Sequence, residues 1–353
     1  MAKAVRLSDI AEKLNVSTVT VSKALAGQKG VSEKVRMQII ALAEEMGYEK
    51  QSSGKGRKRT KSYNIGVIVA EYYLRDNESL YWQLYQELSQ EAMKRNSFIL
   101  LEIVRPKTER LCEIPLILEE NKVNGLIILG TFQKKYMDAV IKETKVPTLY
   151  LDTTTGEEGG DFVLLDNVTG SCKMMDHLFE LGHHKIGFVG SRGMAEWIDD
   201  RFLGYIKSYM EHKYAYKEEW LIDDRDRARS GIDFRHCFSL PADMPTAFFC
   251  CCDMTAQALI RKLNEAGYRV PEDISVAGFG AYDREKQMDT GITSYEINVR
   301  KMARQSIHIM YHKMDKKEYS SGIYMISGRV ADKGSVIEKQ RRRLADKSNE
   351  KRG

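Results

Sequence analysis

Residues 17–23 (STVTVSK) bring small hydroxyl side chains, apolar methyl groups and one cation together within two turns of a short helical pattern. Hydroxyl and ammonium groups can hydrogen-bond to base edges or phosphates, and the methyl groups of Thr and Val can contact thymine methyls. A helix fits the major groove of DNA, where each base pair presents a distinct pattern of donors and acceptors. We therefore predict that the start of this helix reads bases through Thr18, Val19, Ser22 and Lys23.

Other polar side chains around the same helix suit the DNA backbone rather than the bases. Hydroxyl groups at a helix start and lysines beside the helix are typical phosphate contacts. We expect backbone contacts from Ser17, Thr20, Lys29 and Lys34.

Three short helical segments would position these side chains. The first repeats apolar residues from Leu7 to Leu14, and the second begins after Ser17, a candidate N-cap. The third runs from Ser32 to Gly47. Two short helices joined by a tight turn form a helix-turn-helix, whose second helix enters the major groove. On the helical patterns alone, a small interaction module with a solvated polar face remains the alternative.

The segments LSDIAEKLNVSTVTVSKALAG and VSEKVRMQIIALAEEMGY resemble the DNA-binding headpiece of the lactose/galactose-repressor family of bacterial transcription regulators. The family pattern begins with Asp-Ile/Val-Ala, continues with Val-Ser-x-x-Thr-Val-Ser-Arg/Lys and closes with Gly-Tyr. The resemblance implies sequence-specific binding to double-stranded operator DNA. The matching residues are Asp9, Ile10, Ala11, Val16, Ser17, Thr20, Val21, Ser22, Lys23, Leu25, Val31, Ser32, Arg36 and Tyr48.

The linker that follows departs from the family pattern. The family usually has a hinge helix whose leucine wedges into the minor groove, but residues 49–61 (EKQSSGKGRKRTK) contain no Pro, Ala or Leu. Arg57 falls near the position of the wedge leucine. We expect an electrostatic arm that contacts phosphates or a narrow A·T-rich minor groove through Arg57. A disordered basic tether with only non-specific affinity is the alternative.

From Tyr63 onward, short apolar runs alternate with helix-length segments, which predicts parallel sheets with helices on both faces. The segments GHHKIGFVG at 182–190 and PEDISVAGF at 271–279 extend the resemblance over nearly the whole chain. It implies a two-lobed, periplasmic-binding-protein-like α/β fold behind the all-α headpiece. A small-molecule effector is expected in the cleft, beyond the carboxyl ends of the strands.

The resemblance also implies which side chains line the cleft. Asp152 matches the family's strand-end aspartate, and Arg201 matches its effector-contacting arginine, whose forked donors suit sugar hydroxyls or a carboxylate. Either residue could instead belong to a structural ion pair. Asp253 could accept hydrogen bonds from an effector, but capping of a helix that begins at Met254 is the preferred interpretation.

Aromatic residues and one further acid complete the predicted pocket. Tyr72 and Trp197 are candidate stacking walls for a sugar ring, or simply packing residues. The family's Gly-Phe-Asp-Asp/Asn reads GFGA at 278–281, so a usual hydroxyl-binding aspartate is missing and Asp283 is its candidate substitute. Cys252 stands where the family often has Asn. A saccharide remains the expected effector. These two departures from the family pattern nevertheless give more weight to a different small ligand.

Charge is distributed unevenly along the 353 residues, of which 55 are Lys or Arg and 50 are Asp or Glu. Residues 1–62 carry a net +7, residues 63–338 a net −7 and residues 339–353 a net +5, which suggests a polyanion partner at an end. The expected organisation is a DNA-binding domain at 1–48, a basic linker at 49–62, lobes at about 63–160 plus 296–322 and 161–295 plus 323–338, and a basic tail at 339–353.

Several classes of protein are disfavoured. The chain has no run of 18 apolar residues and no secretory signal, so we expect a bacterial cytoplasmic, nucleoid-associated protein without a membrane partner. Six cysteines lack metal-ligand spacing and are expected to be reduced thiols. Because no phosphate-binding loop, Gly-x-Ser-x-Gly or His-Glu-x-x-His motif occurs, we predict neither an enzyme nor a metal or cofactor site.

These features together predict a transcriptional repressor whose affinity for a near-palindromic operator is controlled by a small molecule, and which acts as a homodimer. Gly280 and Cys252 motivate an alternative, an effector-independent regulator of the same fold. A free sugar-binding receptor is disfavoured by the intact headpiece and the missing export signal.

Overall fold

The computed structural model describes residues 5–25, 27–46, 48, 61–74, 79–225, 239–280 and 291–339. Two compact units divide the chain, Met1–Thr60 and Lys61–Gly353. Outside the described residues lie Arg57, Asp283, the helix predicted near residues 229–238 and nearly all of the basic tail.

In the first unit, the described residues form a bundle of three helices around a small apolar core. Val21 and Ala24, three residues apart on the second helix, are buried on one face. They pack with Ile10 from the first helix and Ile39 from the third. The helices are α1 (Leu7–Lys13), α2 (Thr18–Leu25) and α3 (Glu33–Glu45).

In the second unit, the described residues form twelve short strands and the helices that connect them. Six strands of four to seven residues follow the predicted apolar runs closely, because each run is buried on both faces. The strands are β1 (Asn64–Ala70), β2 (Phe98–Val104), β3 (Gly125–Leu129), β4 (Thr148–Leu151), β5 (Phe162–Leu165), β6 (Ile186–Val189), β7 (Leu221–Ile222), β8 (Ala247–Cys250), β9 (Ser275–Gly280), β10 (Thr293–Glu296), β11 (Ile323–Ile326) and β12 (Arg329–Ala331).

Helices pack against these strands. They are α4 (Leu80–Met93), α5 (Pro106–Leu111), α6 (Leu116–Glu119), α7 (Lys134–Glu143), α8 (Asn167–Glu180), α9 (Glu196–Glu211), α10 (Asp253–Glu265) and α11 (Val299–Met314). Within the described ranges, no helix combines the length and apolar character needed to cross a bilayer.

The strands form two sheets, one in each lobe of the second unit. The first sheet has the order β11-β5-β4-β3-β1-β2, and its pairs are parallel. The second has the order β12-β10-β9-β8-β6-β7, with β12 antiparallel to β10. One apolar core contains side chains from both sheets.

The division between the lobes differs from the predicted one. The sequence places 161–165 and 323–326 in the second lobe, but β5 and β11 pair with each other and β5 pairs with β4, all in the first sheet. The chain therefore passes between the sheets after β5, after β10 and after β11. A four-residue apolar run fits either sheet, so only the partner strand, distant in sequence, decides where it pairs.

Candidate DNA interface and effector cleft

Helix α2 begins with the cap that its sequence predicts. The Ser17 hydroxyl accepts a hydrogen bond from the Thr20 backbone amide at 3.0 Å, and the two hydroxyl oxygens lie 2.8 Å apart. A hydroxyl in this position satisfies one of the unpaired amides of the first turn. Both residues therefore fix the start of α2, and both remain at least partly accessible for a phosphate.

The predicted base-reading side chains share the exposed face of α2. Thr18, Val19, Ser22 and Lys23 are all exposed, whereas Val21 and Ala24 lie in the core. Val19 is 59% exposed, so its branched side chain is not used for packing. Within the described residues, none of the three polar members has a side-chain hydrogen bond or ion pair.

The predicted backbone-contacting lysines lie on the following turn and helix. Lys29 is exposed between α2 and α3, and Lys34 is exposed in the first turn of α3. Their residue types and accessibility suit phosphate contacts. Arg57, the remaining predicted contact, lies outside the described residues.

Arg36 has a supporting role that the sequence analysis missed. Its guanidinium donates to the Ala24 carbonyl at 2.9 Å and to the Gln28 carbonyl at 2.7 Å. These carbonyls belong to the last turn of α2 and the segment after it, where backbone acceptors lack helical partners. Because the partners lie 8 and 12 residues away, helical periodicity carries no signal for this contact.

In the second unit, Asp152 directly follows β4 and has a left-handed backbone with a φ of 56°. Its carboxylate accepts a hydrogen bond from the Tyr81 hydroxyl at 2.8 Å, and the Tyr81 ring stacks on Tyr73 at 4.1 Å between centroids. Burial raises the pKa of Asp152, while the Tyr81 hydrogen bond and the charge of Arg201 oppose that shift. Tyr81 thus holds the acid at the carboxyl edge of the first sheet.

Arg201 lies on α9 and is only 4% exposed. Its Nε donates to Asn167 Oδ1 at 3.0 Å and its Nη1 to the Cys251 carbonyl at 2.6 Å. The guanidinium carbon lies 3.8 Å from the Phe279 ring centroid and 4.7 Å from that of Trp197. Burial lowers the pKa of Arg201, but an arginine remains charged in a protein. The flat cation is therefore held between two aromatic rings.

Asp253 does not cap the helix in the way the sequence predicts. Helix α10 begins at Asp253 rather than Met254, and Cys252 occupies the N-cap position. Asp253 is 3% exposed and accepts a hydrogen bond from the Ser294 hydroxyl at 2.6 Å. A Cβ on Gly278 would lie 2.2 Å from Asp253 Oδ1, so this position excludes larger residues. The capping prediction is off by one residue because Cys252 already has the extended backbone of an N-cap.

The two predicted aromatic walls lie on different lobes. The hydroxyl of Tyr72 donates to the Thr131 carbonyl at 2.7 Å, and its half-exposed ring packs on Tyr73 at 4.2 Å. Trp197 lies in the first turn of α9, beside Arg201. Asp283 lies outside the described residues.

The structure brings Asp152, Arg201 and Trp197 together at the carboxyl edges of the two sheets. Asp152 and Arg201 act electrostatically on each other, but they form no ion pair within 4.0 Å in the described part of the chain. Tyr72 is connected to this group through Tyr73 and Tyr81. The supporting residues that sequence reasoning missed are Tyr81, Asn167, Phe279 and the Cys251 carbonyl; Phe279 alone stood within a quoted family motif.

Two family models match separate parts of the chain. Residues 6–51 match the lacI family of bacterial regulatory proteins, and residues 175–336 match a periplasmic binding protein-like domain. The first match covers α1–α3, and the second covers most of the second lobe together with α11 and β11.

Similar curated proteins are transcriptional repressors. The repressor PurR of Photobacterium profundum is 21% identical over 331 residues, which is 94% of this chain and 98% of that protein. The ribose operon repressor of Haemophilus influenzae is 23% identical over 273 residues, which is 77% of this chain and 81% of that protein.

Solved structures confirm the predicted fold. A complex of the transcriptional regulator CelR with cellobiose has a TM-score of 0.64 at 20% identity, covering 94% of this chain and 99% of that one. The lac repressor dimer bound to operator and an anti-inducer has a TM-score of 0.62 at 21% identity, covering 95% and 100%.

The headpiece match and the repressors aligned along nearly the whole chain agree on one class of protein. These relatives are DNA-binding regulators rather than enzymes, in line with the prediction from the sequence. The chain carries a lacI-family DNA-binding domain at residues 6–51 and a periplasmic binding protein-like domain at residues 175–336, and it is a DNA-binding transcriptional regulator.

Proposed function

We propose that this regulator reads its operator with the exposed face of α2. Its affinity for the operator falls or rises when a small, hydroxyl-rich molecule binds in the cleft. In the headpiece, Thr18, Val19, Ser22 and Lys23 would contact bases. Ser17, Thr20, Lys29, Lys34 and, from the linker, Arg57 would contact phosphates.

The separation of Asp152 from Arg201 carries the effector proposal. A half-buried carboxylate and a buried guanidinium act electrostatically on each other from different lobes without an ion pair. Adjacent hydroxyl groups on one molecule can donate to the acid and accept from the arginine, which suits a saccharide. Tyr72 and Trp197 would pack on its apolar face, while Asp253 and Asp283 remain further candidate contacts. Solved regulators with bound ribose or cellobiose support this ligand class.

Control of DNA binding would follow from differential affinity. A ligand that bridges Asp152 and Arg201 favours the lobe arrangement in which both can be reached. Operator affinity changes if the DNA-competent protein prefers one such arrangement.

A homodimer would place two headpieces on the two halves of a near-palindromic operator in the bacterial cytoplasm. Apolar side chains on the edge strand β2 and the end of α4 support an interface there, since Met93, Phe98 and Ile103 are exposed. The lac repressor dimer has the same fold. Sedimentation equilibrium should give twice the mass of the 353-residue chain, and a monomer at micromolar concentration would contradict this part of the proposal.

An effector-independent regulator is the second candidate. Arg201 already donates to Asn167 and Cys251, and Cys252 replaces a polar residue common in the family. Because these donors of Arg201 already have protein acceptors, the cleft is stable without a ligand.

Operator binding with and without ligand separates the two candidates. An operator is first selected from random duplexes, and its affinity is then measured by fluorescence anisotropy with millimolar mono- and disaccharides. The proposal expects at least one compound to shift the affinity tenfold or more, and Asp152→Ala to remove that shift while leaving ligand-free DNA binding intact. If no compound shifts the affinity, the effector-independent candidate is favoured.

A further inference from the structure

A second arginine lies beside the predicted effector contacts. Arg225 lies three residues beyond β7, and its guanidinium carbon is 5.0 Å from the Trp197 ring centroid. Arg201 is 4.7 Å from the same ring. Two guanidinium groups therefore share one indole ring at the carboxyl edge of the second sheet.

Arg201 is a buried cation that forms no ion pair with a carboxylate in the described part of the chain. Its two hydrogen bonds go to a neutral amide oxygen on Asn167 and a backbone carbonyl at Cys251. Among the described residues, no carboxylate oxygen lies within 4.0 Å of its guanidinium nitrogens. Burying a charge without a counter-charge is costly, so a bound anion would relieve an existing penalty.

Arg225 shares Asp224, its one carboxylate partner among the described residues, with other donors. Its Nε lies 3.4 Å from Asp224 Oδ1. The buried Asp224 carboxylate also accepts hydrogen bonds from the Ser191 amide at 2.9 Å and the Thr255 hydroxyl at 2.7 Å. Among the described residues, Asp224 is thus the one carboxylate within 4.0 Å of either guanidinium group beside Trp197, while Asp152 acts on Arg201 from a greater distance. The Arg225 side chain is 13% exposed, so its terminal nitrogens are not freely solvated.

The part of the cleft around Asp152 has the opposite character. Asp200 and Glu196 both act electrostatically on Asp152, and Tyr81 donates a hydrogen bond to it. Acids repel an anion but accept hydrogen bonds from hydroxyl groups. The cleft is therefore polarised, with acceptors near Asp152 and guanidinium donors near Trp197.

We infer that the effector is an anionic polyol, with a carboxylate or phosphate group against Trp197 between Arg201 and Arg225 and its hydroxyl groups directed to Asp152. This inference rests on the proposed effector function and narrows its ligand class. A neutral sugar satisfies the acidic side but brings no negative charge within ion-pair distance of Arg201. A carboxylate or phosphate accepts the forked hydrogen bonds of arginine as well.

Calorimetric titration of the full chain with matched ligands tests this inference. The pairs are glucuronate with its neutral amide, galacturonate with galactose, and glucose 6-phosphate with glucose. We expect at least one anionic probe to bind tenfold or more tightly than its neutral counterpart at low salt. The first two pairs test a carboxylate and the third tests a phosphate, so the panel also identifies the source of the charge.

Variants locate the anion. Arg225→Gln should remove the preference for the anionic probe, and Arg225→Lys should keep part of it. Arg269→Gln is the matched control, because Arg269 is an exposed arginine bonded to Asp273 in the loop after α10, and it should behave as wild type. If Arg225→Gln does not fold, Arg225→Lys and the ligand pairs in the wild type still show whether the site prefers the anionic probe.

Two results would overturn the inference: neutral probes that bind as tightly as their anionic partners, or no binding by any anionic probe. Operator anisotropy keeps this outcome apart from the proposed function. Neutral sugars that shift operator affinity would sustain the effector function and refute the anionic ligand. An anionic probe that binds without shifting operator affinity would sustain the anionic ligand and refute the effector function.

Discussion

The exposed face of α2 and the effector cleft are built on opposite principles. On α2, the residues that hold the helix are separate from those proposed to read bases, since Val21 and Ala24 are buried while Thr18, Ser22 and Lys23 face outward. In the cleft, Arg201 is at once a proposed ligand contact and a buried structural residue with partners on α8 and at the end of β8.

This difference decides what each region can change. Substitutions on the outer face of α2 can alter DNA recognition without a large effect on folding, because the side chains have no internal partners among the described residues. Substitutions in the cleft alter stability and binding together. The same coupling suits a regulatory site, because a ligand that competes for structural hydrogen bonds has different affinities for different lobe arrangements.

Replacing Arg201 is the severest test of the comparison. Arg201→Ala leaves the Asn167 amide oxygen and the Cys251 carbonyl without their donor and removes the cation between two rings. We expect the free energy of unfolding to fall by about 2–5 kcal/mol and the effector response to disappear. Urea denaturation followed by circular dichroism measures the first effect, with Arg269→Ala as the exposed control. Unchanged stability would mean that structural and binding roles are separate in the cleft as well.

Lys23 gives the contrasting case on α2. Lys23→Ala should lower operator affinity about ten- to a hundredfold while the free energy of unfolding stays the same, since its side chain is exposed. If Lys23 contacts a phosphate, the slope of log affinity against log salt concentration should also become shallower by about one. If Lys23 reads a base, the preference for that base at one operator position should weaken instead.

Lys13→Ala provides the matched control for Lys23. Lys13 is also an exposed lysine in the last turn of a headpiece helix, but it lies on α1. Equal losses of affinity in the two variants would indicate that the headpiece contributes general charge rather than a specific contact.

Ser17 combines both kinds of role in one residue, and two substitutions separate them. Ser17→Ala removes the acceptor of the Thr20 amide and should lower headpiece stability by about 1 kcal/mol. Ser17→Asp keeps a capping oxygen and adds a charge that the helix N-terminus favours, so stability should recover. Operator affinity should stay low, because the carboxylate repels a nearby phosphate. If Ser17→Asp restores both stability and affinity, Ser17 only caps the helix.

The sequence predicts the DNA-reading region better than the cleft, for a physical reason. The cap of α2 follows from spacing within a few residues, and the structure has it where it is expected. Tyr81 and Asp152 are 71 residues apart, and Arg201 and Cys251 are 50 apart. Only the folded chain brings such pairs together, as it alone decides that β5 and β11 join the first sheet. The family resemblance supplied Asp152 and Arg201, but of the groups that position them only Phe279 stood in a quoted motif, without an assigned role.

The pH dependence of stability gives the smallest and most local test, because Asp152 is only half-buried. Burial raises the pKa of Asp152, which means that the folded state disfavours its ionised form. Relative to Asp152→Asn, the wild type should therefore be most stable below the ordinary aspartate pKa of about 3.9 and lose that advantage as pH rises through the folded value. Tyr81→Phe removes a hydrogen bond that favours the ionised form, so it should move this loss to higher pH. A difference between wild type and Asp152→Asn that does not vary with pH would show that Asp152 is solvated like a surface acid.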